Sequence, residues 1–269
     1  MFLMRFPNGL SKVFTASYDD GRVEDLRLAE IFRKNGIKAT FNINSGKIAE
    51  TEGGKFLTAE QMKKVYSGFE VAVHTVHHPH LEELPREIAA DEVLSDRKAL
   101  EDIFGTPIRG MAYPYGTYNA DTVEVLKSTG IAYSRTVKST LNFFLPENWL
   151  TLNPTCHHRN PELNAKAKRF LEIERKQNET CLMFYLWGHS YEFTDNDNWC
   201  VIEDLAKLIG GKDDIWYATN IEIFDYVKAY QSLNVSVSGK IIHNPTATDV
   251  FICADGKTVK IGAGKTVEI

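Results

Sequence analysis

The sequence predicts an α/β protein, a distorted parallel (β/α) barrel of about seven strands with a small C-terminal β module. Three observations lead there. Short apolar, β-rich runs alternate with helix-spaced apolar patterns, which favours a parallel sheet. Seven or eight such repeats within about 220 residues favour a closed or nearly closed barrel over a doubly wound open sheet, the runner-up. From about residue 232 the texture changes to short alternating runs broken by Ser-Gly, Asn-Pro, Asp-Gly and Gly-Ala-Gly, which read as β-hairpins.

In chain order, the predicted strands are "VFTASY" (13–18), "KATFNIN" (38–44), "GFEVAVHT" (68–75), "IRGMAY" (108–113), "AYSRTV" (132–137), "WLTLNPT" (149–155), "CLMFYLW" (181–187) and "IWYAT" (215–219). Between most of them lie helices. Leu28, Ile31 and Phe32 recur at helix spacing before a stop at Gly36, and Val93, Leu100 and Phe104 do so before Gly105. Val201, Leu205 and Leu208 form another apolar stripe. All three stripes read as core. The domain reading is a barrel over 1–231 and a β module over 232–269, too short for an independent core and therefore packed on the barrel.

Composition narrows the function classes. The chain has 269 residues, 43% of them hydrophobic and 25% charged, with a formal net charge of -5. That balance, without a long basic run, argues against nucleic acid or an anionic membrane as partner. The first residues show neither a sustained apolar stretch nor a small-residue cleavage pattern, so the expected location is cytoplasmic. Cysteines 156, 181, 200 and 253 lack CxxC spacing, and no structural disulfide is predicted. Oligomeric state is not legible.

The polar residues of interest fall at the C-terminal ends of predicted strands. Asp19 and Asp20 end the first; "HTVHHPH" (74–80), with four of the chain's eight histidines, ends the third; "YPYG" (113–116) ends the fourth; His189 follows the seventh. In parallel barrels that rim is where reactive groups from distant segments converge. Each element alone has a plainer reading: paired aspartates before glycine make turns and caps, and a histidine after a strand is usually just hydrogen-bonded. The combination is more specific.

In these residues the chain resembles the polysaccharide deacetylase, or NodB-homology, family of carbohydrate esterases. "SYDDG" (17–21) is similar to its TFDDG motif, "HTVHH" (74–78) to H-S/T-x-x-H, "YPYG" (113–116) to the motif ending in P-Y-G, and "LWGH" (186–189) to its late strand followed by histidine. The resemblance spans roughly residues 12–230. It implies a distorted barrel holding a divalent metal ion, with zinc the favoured identity, on one Asp and two His.

By that resemblance Asp20, His74 and His78 are the metal ligands, Asp19 is the general base and His189 the general acid. His74 with His77 stays open as the alternative histidine pair. The chemistry agrees with the set: hydrolysing an acetamide needs a strong nucleophile, oxyanion stabilisation and a proton for the leaving amine. Two neutral imidazoles and a carboxylate leave coordination positions open for water and a substrate carbonyl. A backbone N–H near Tyr115 is implied to help hold the oxyanion. Tyr115 and Trp187 are the first choices for stacking on a saccharide ring. His77 reads as exposed or supporting, His80 as satisfying loop backbone, and His157 and His158 as candidates to line the pocket.

Two departures stand out. The family's arginine in F-R-x-P-Y-G is replaced by Ala112, and the Asp motif that supports the catalytic histidine is not recognisable; "WLTLNPTCHH" occupies its region. Arg109 is poorly placed to substitute. Arg135, in the next strand, can reach Asp19 if its side chain points inward, the plainer reading being an outward arginine paired with a helix carboxylate. The expected activity is a metal-dependent deacetylase of an N-acetylated or O-acetylated carbohydrate. A cyclic-amide or other small-amide hydrolase, or a non-catalytic saccharide-binding protein, are the alternatives.

Overall fold

The computed structural model describes residues 2–176 and 178–269. After β1 (Phe2–Arg5), the chain alternates β2 (Lys12–Asp19), α1 (Asp25–Lys34), β3 (Ala39–Ile43), α2 (Ala59–Val65), β4 (Glu70–Val73), α3 (Arg86–Phe104), β5 (Gly110–Ala112), α4 (Ala120–Ser128) and β6 (Tyr133–Arg135). It continues through β7 (Cys156–His157), α5 (Leu163–Glu172), β8 (Leu182–Gly188), the short α6 (Tyr191–Asp195), α7 (Cys200–Ile209), β9 (Ile215–Tyr217) and α8 (Asn220–Gln231). Strands β2 to β9 form one parallel sheet in the order β6-β5-β4-β3-β2-β8-β7, with β9 also on β2. The predicted barrel class holds.

The distortion has a visible cause. Strand β2 pairs with β8 along its length, but its other side is shared: β9 takes Lys12 to Phe14, and β3 takes Ala16 to Asp19. The sheet therefore splits at the lower end of β3 and is tight at the upper end, where β2 delivers Asp19. On the far side, Leu152 exchanges backbone hydrogen bonds with Ser134 and Thr136, while Thr155 and His158 donate to β8 carbonyls. One irregular segment thus joins β6 to β8.

That segment corrects the predicted strand at 149–155. Residues Trp149–Thr151 form a 3-10 turn, started by Asn148 accepting from the Leu150 amide at 2.9 Å, and ladder pairing resumes only at Cys156. Pro154 supplies no N–H, so a continuous ladder could not form there.

Helix ends follow their sequence signals. Gly105 closes α3 in the left-handed region, and Thr58, Asn119 and Thr219 cap α2, α4 and α8 through their side chains. The main core lies between sheet and helices, with Phe14, Phe41, Phe184, Leu28 and Leu100 buried.

Beyond α8 come β10 (Asn234–Val235), β11 (Ile241–His243), β12 (Val250–Ala254), β13 (Lys257–Ile261) and β14 (Thr266–Glu268). They form two three-stranded antiparallel sheets, β10-β11-β14 and β1-β12-β13, so the N-terminal strand is zipped onto the C-terminal ones. Tyr226 on α8 bridges this layer to the barrel, its hydroxyl donating to Arg5 O at 2.5 Å and accepting from Phe251 N at 2.9 Å.

Asp25, in the first turn of α1, is completely buried, and the Tyr66 hydroxyl donates to it at 2.7 Å. Burial pushes its carboxyl up to about 7, against weaker lowering by Ser190 and Tyr66. The folded-state value lies above the unfolded one, so stability from this group is complete at acid pH and is lost as pH rises from the ordinary carboxylate range to about 7. Asp25→Asn should therefore gain stability relative to the wild type between about pH 4 and about pH 7. Melting curves that stay parallel across that range would refute the assignment.

Candidate active site

The upper rim collects the polar residues. Asp19 ends β2 and is 2% exposed. Its Oδ1 accepts from Asn42 Nδ2 at 2.8 Å, and its Oδ2 accepts from Arg135 Nη2. Arg135 is completely buried, and its guanidinium carbon lies 4.4 Å above the Trp187 ring. Its side chain therefore points inward, and Arg109 is engaged elsewhere with Asp225 at 2.6 Å. Burial resists ionisation of Asp19, but the Arg135 charge, then His74, His189 and Asn42, hold its carboxyl at about 2. It is an anion at neutral pH.

Asp20, His74 and His78 bring one ligand atom each to within 4.8 Å of one another. His74 Nδ1 lies 2.8 Å from Ala112 O, which accepts its proton and leaves the Nε2 lone pair free. Burial lowers both His74 and His78, so both rings are neutral at neutral pH. A neutral-imidazole pair with a carboxylate suits a divalent cation. Lys47 Nζ sits 3.3 Å from Asp20 Oδ1 and offsets part of its charge.

Local backbone conformation shapes this rim. Asp20, Thr75, His78 and Tyr115 all adopt positive φ, at 81°, 66°, 60° and 58°. A β-branched residue such as Thr75 rarely tolerates that region, and several strained residues meeting at one cleft mark a functional site. The strain is held by specific bonds: Asn44 Nδ2 donates to the His74 and Thr75 carbonyls, and Thr75 Oγ1 accepts from His78 N at 3.0 Å.

The other histidines separate. His77 is turned outward onto Glu92, its ring at 2.6 Å and its amide at 3.0 Å, and the cluster at the rim contains His78 instead. His80 does not serve loop backbone as expected: its ring stacks on Tyr115 with centroids 3.9 Å apart, and Nδ1 approaches Thr117 Oγ1 at 3.2 Å. Tyr115 is 54% exposed beside His78, whereas Trp187 is only 8% exposed and backs Arg135.

On the opposite wall, His189 Nε2 lies 3.9 Å from Asp19 Oδ2 and its Nδ1 3.4 Å from Glu192 Oε1. Burial works against its protonation, but Glu192, Asp19 and Asp20 outweigh burial and raise it above the ordinary imidazole value. Glu192 also meets His158 Nε2 at 2.9 Å and His157 Nε2 at 3.4 Å. His158 packs where Gly188 has no side chain; a Cβ there would stand 2.0 Å from its Nδ1.

His157, His189 and Glu192 form a second group with ligand atoms within 4.8 Å. Its proton pattern differs from the first. Arg159 N donates to His157 Nδ1 at 3.0 Å, which puts that neutral ring's proton on Nε2, facing Glu192. These groups are paired by protons with one another.

Glu192, Asn42, Asn44 and Lys47 were missed from sequence. Asn42 and Asn44 carried a signal, two amides at alternating positions ending the apolar run "KATFNIN". Glu192 carried almost none.

Residues 7–134 match the model of the family described as polysaccharide deacetylase. Those residues belong to the polysaccharide deacetylase family. The matched stretch includes Asp19, Asp20, His74, His78, Ala112 and Tyr115 and stops one residue before Arg135. A candidate polysaccharide deacetylase from Mycobacterium smegmatis is similar at TM-score 0.61 and 15% identity, over 85% of this chain and 94% of that one. A family 4 carbohydrate esterase from Streptomyces lividans, solved with acetate, is similar at TM-score 0.51 and 17% identity, over 77% and 91%. A Streptococcus pyogenes deacetylase, also solved with acetate, has TM-score 0.47 and 26% identity; this chain covers 61% of its length, and the similarity spans 51% of this chain. No curated protein matches the sequence significantly. The structural likenesses show the shared deacetylase fold.

Removing one member of a buried ion pair strands the other. Arg135→Met should destabilise the fold by about 3 kcal/mol or more near neutral pH, and Asp19→Asn in the same background should recover much of that loss. Additive losses in chemical denaturation would show that the pair is not coupled.

Proposed function

We propose that this chain is a divalent-metal-dependent deacetylase that releases acetate from an N-acetylated carbohydrate, O-acetyl esters being the second substrate class. The observation that carries the reading is the juxtaposition of an ionised, arginine-held Asp19 with the neutral His74–His78 pair and Asp20 on one side and a proton-rich His189 on the other.

Asp20, His74 and His78 would hold the ion, and zinc fits a nitrogen-rich set of this kind. When bound, such an ion supplies a Lewis acid that polarises a carbonyl and acidifies water. In that setting a weak base suffices, and Asp19, held by Arg135 and Asn42 with one oxygen toward the histidines, takes up the proton of the attacking water. His189, protonated and facing Asp19 through Nε2, gives its proton to the departing amine nitrogen. Arg135 keeps Asp19 in one rotamer and anionic, the part that Ala112 cannot play. Tyr115, exposed and stacked on His80, offers a flat face to a sugar ring. Trp187 contributes chiefly by backing Arg135.

The test is acetate release from N-acetylated oligosaccharides by metal-reconstituted protein. Asp19→Asn should keep its metal and lose about 10²-fold or more in turnover. His78→Ala should lose stoichiometric metal, and His77→Ala should retain it. Full activity in Asp19→Asn, or normal metal content in His78→Ala, would overturn the reading. Stoichiometric metal with saccharide binding and no acetate release would favour a non-catalytic binding protein.

A further inference from the structure

We infer that Glu192 is the positioning residue for His189. It is supplied from the same chain turn, three residues after the histidine, and is itself clamped by His157 and His158. The inference rests on the reading of His189 as the proton donor.

Four cationic or protonated groups converge on this one carboxylate. His158 Nε2 stands 2.9 Å from Oε2, His157 Nε2 3.4 Å from the same atom, His189 Nδ1 3.4 Å from Oε1 and Arg159 Nη1 3.8 Å from Oε1. The two oxygens have separate tasks. Oε2 takes the N–H groups of His157 and His158, whose tautomers are set from outside: Arg159 N fills His157 Nδ1 at 3.0 Å, and His158 is 2% exposed with its ring 4.2 Å from Phe193 and stacked on Tyr18 at 5.8 Å. Oε1 is thereby held toward His189, whose remaining nitrogen points to Asp19.

Glu192 is the only carboxylate within ion-pair distance of His189 Nδ1 among the described residues. Without it nothing nearby fixes which ring nitrogen carries the outward proton. An anion at Oε1 favours a proton on Nδ1, so the imidazolium keeps its second proton on Nε2, toward the reaction centre. The clamp is rigid for a local reason: α6 begins at Tyr191, and the backbone donates Glu192 N to His189 O at 3.3 Å, bending the chain so that residues 189 and 192 share one face. Asn196 Nδ2 donates back to Glu192 O at 2.6 Å and pins the other end of the turn. His157 and His158 thus have a structural task, and their neutrality, caused first by burial, matches rings that donate one proton each to a shared anion.

The experiment compares metal-loaded wild type, Glu192→Gln, Glu192→Asp, His189→Ala and the Glu192→Gln/His189→Ala double variant on an N-acetylated oligosaccharide and on an activated phenyl acetate. Glu192→Gln should lower amide kcat by about 10²-fold with KM within about 2-fold, and affect the activated ester much less, because a phenolate leaves without a general acid. Glu192→Asp should recover part of the loss. In the His189→Ala background, Glu192→Gln should cost less than about 3-fold more, since it acts through the missing ring. Equal losses on amide and ester, or a full additional loss in the double variant, would overturn the inference.

A second readout does not depend on hydrolysis. In 15N-histidine spectra of the wild type, the His189 Nδ1 proton should appear far downfield and vanish in Glu192→Gln, while the His74 and His78 signals stay in place. An unchanged His189 signal refutes the positioning role whatever the activity. A protein with that signal but no acetate release would instead refute the deacetylase reading. Should Glu192→Gln fail to fold, Glu192→Asp decides alone: unchanged amide turnover overturns the inference, and a loss confined to the amide supports it.

Discussion

A single buried charge organises the upper rim. Asp19 sits 2% exposed at the end of a strand whose every residue is buried, where an unpaired carboxylate would not stay ionised. Arg135 makes the charge possible. It reaches Asp19 from β6, across the barrel interior, and it too is fully buried, so each group is intelligible only through the other. Trp187 then becomes necessary as the apolar, electron-rich face on which the guanidinium lies. The strand split that places β9 below and β3 above leaves the upper end of β2 tight enough to hold Asp19 against Asn42.

Around that pair the site divides by proton content. Toward β4 the imidazoles are neutral, with His74 giving its Nδ1 proton to a backbone carbonyl and presenting a lone pair. Toward β8 they are proton-donating, gathered on Glu192. Two clusters of similar composition are thus fitted for opposite tasks, one to accept a cation and one to deliver a proton. The difference lies in what occupies the far nitrogen of each ring, a carbonyl oxygen at His74 and a backbone amide at His157. Composition could not have shown it.

Much of the architecture was legible because it follows from periodicity. Alternating apolar runs and helix stripes gave the parallel barrel, and motifs at strand ends gave one rim for Asp19, Asp20, His74, His78 and Tyr115. The limits are equally physical. The stretch 149–155 reads as a strand from its apolar residues, yet Pro154 and the Asn148 turn turn it into a seam between β6 and β8. The N-terminal strand was invisible because its partner, β12, lies some 250 residues away and nothing local announces the pairing. Glu192 was unreadable for another reason: a glutamate at the start of a short helix is ordinary, and only the fold shows three histidines turned toward it. Arg135 could be singled out only because the family's arginine position holds Ala112, which left Asp19 in need of a cation.

The central claim is that the two histidine clusters have different occupants, a metal ion at the first and protons at the second. Anomalous diffraction at the zinc edge, on crystals of protein reconstituted with one equivalent of zinc, tests it directly. The account predicts a single peak bounded by Asp20, His74 and His78, with Arg135 still on Asp19 and no peak among His157, His189 and Glu192. A peak at that second group, or ordered zinc on His77 in place of His78, would contradict it.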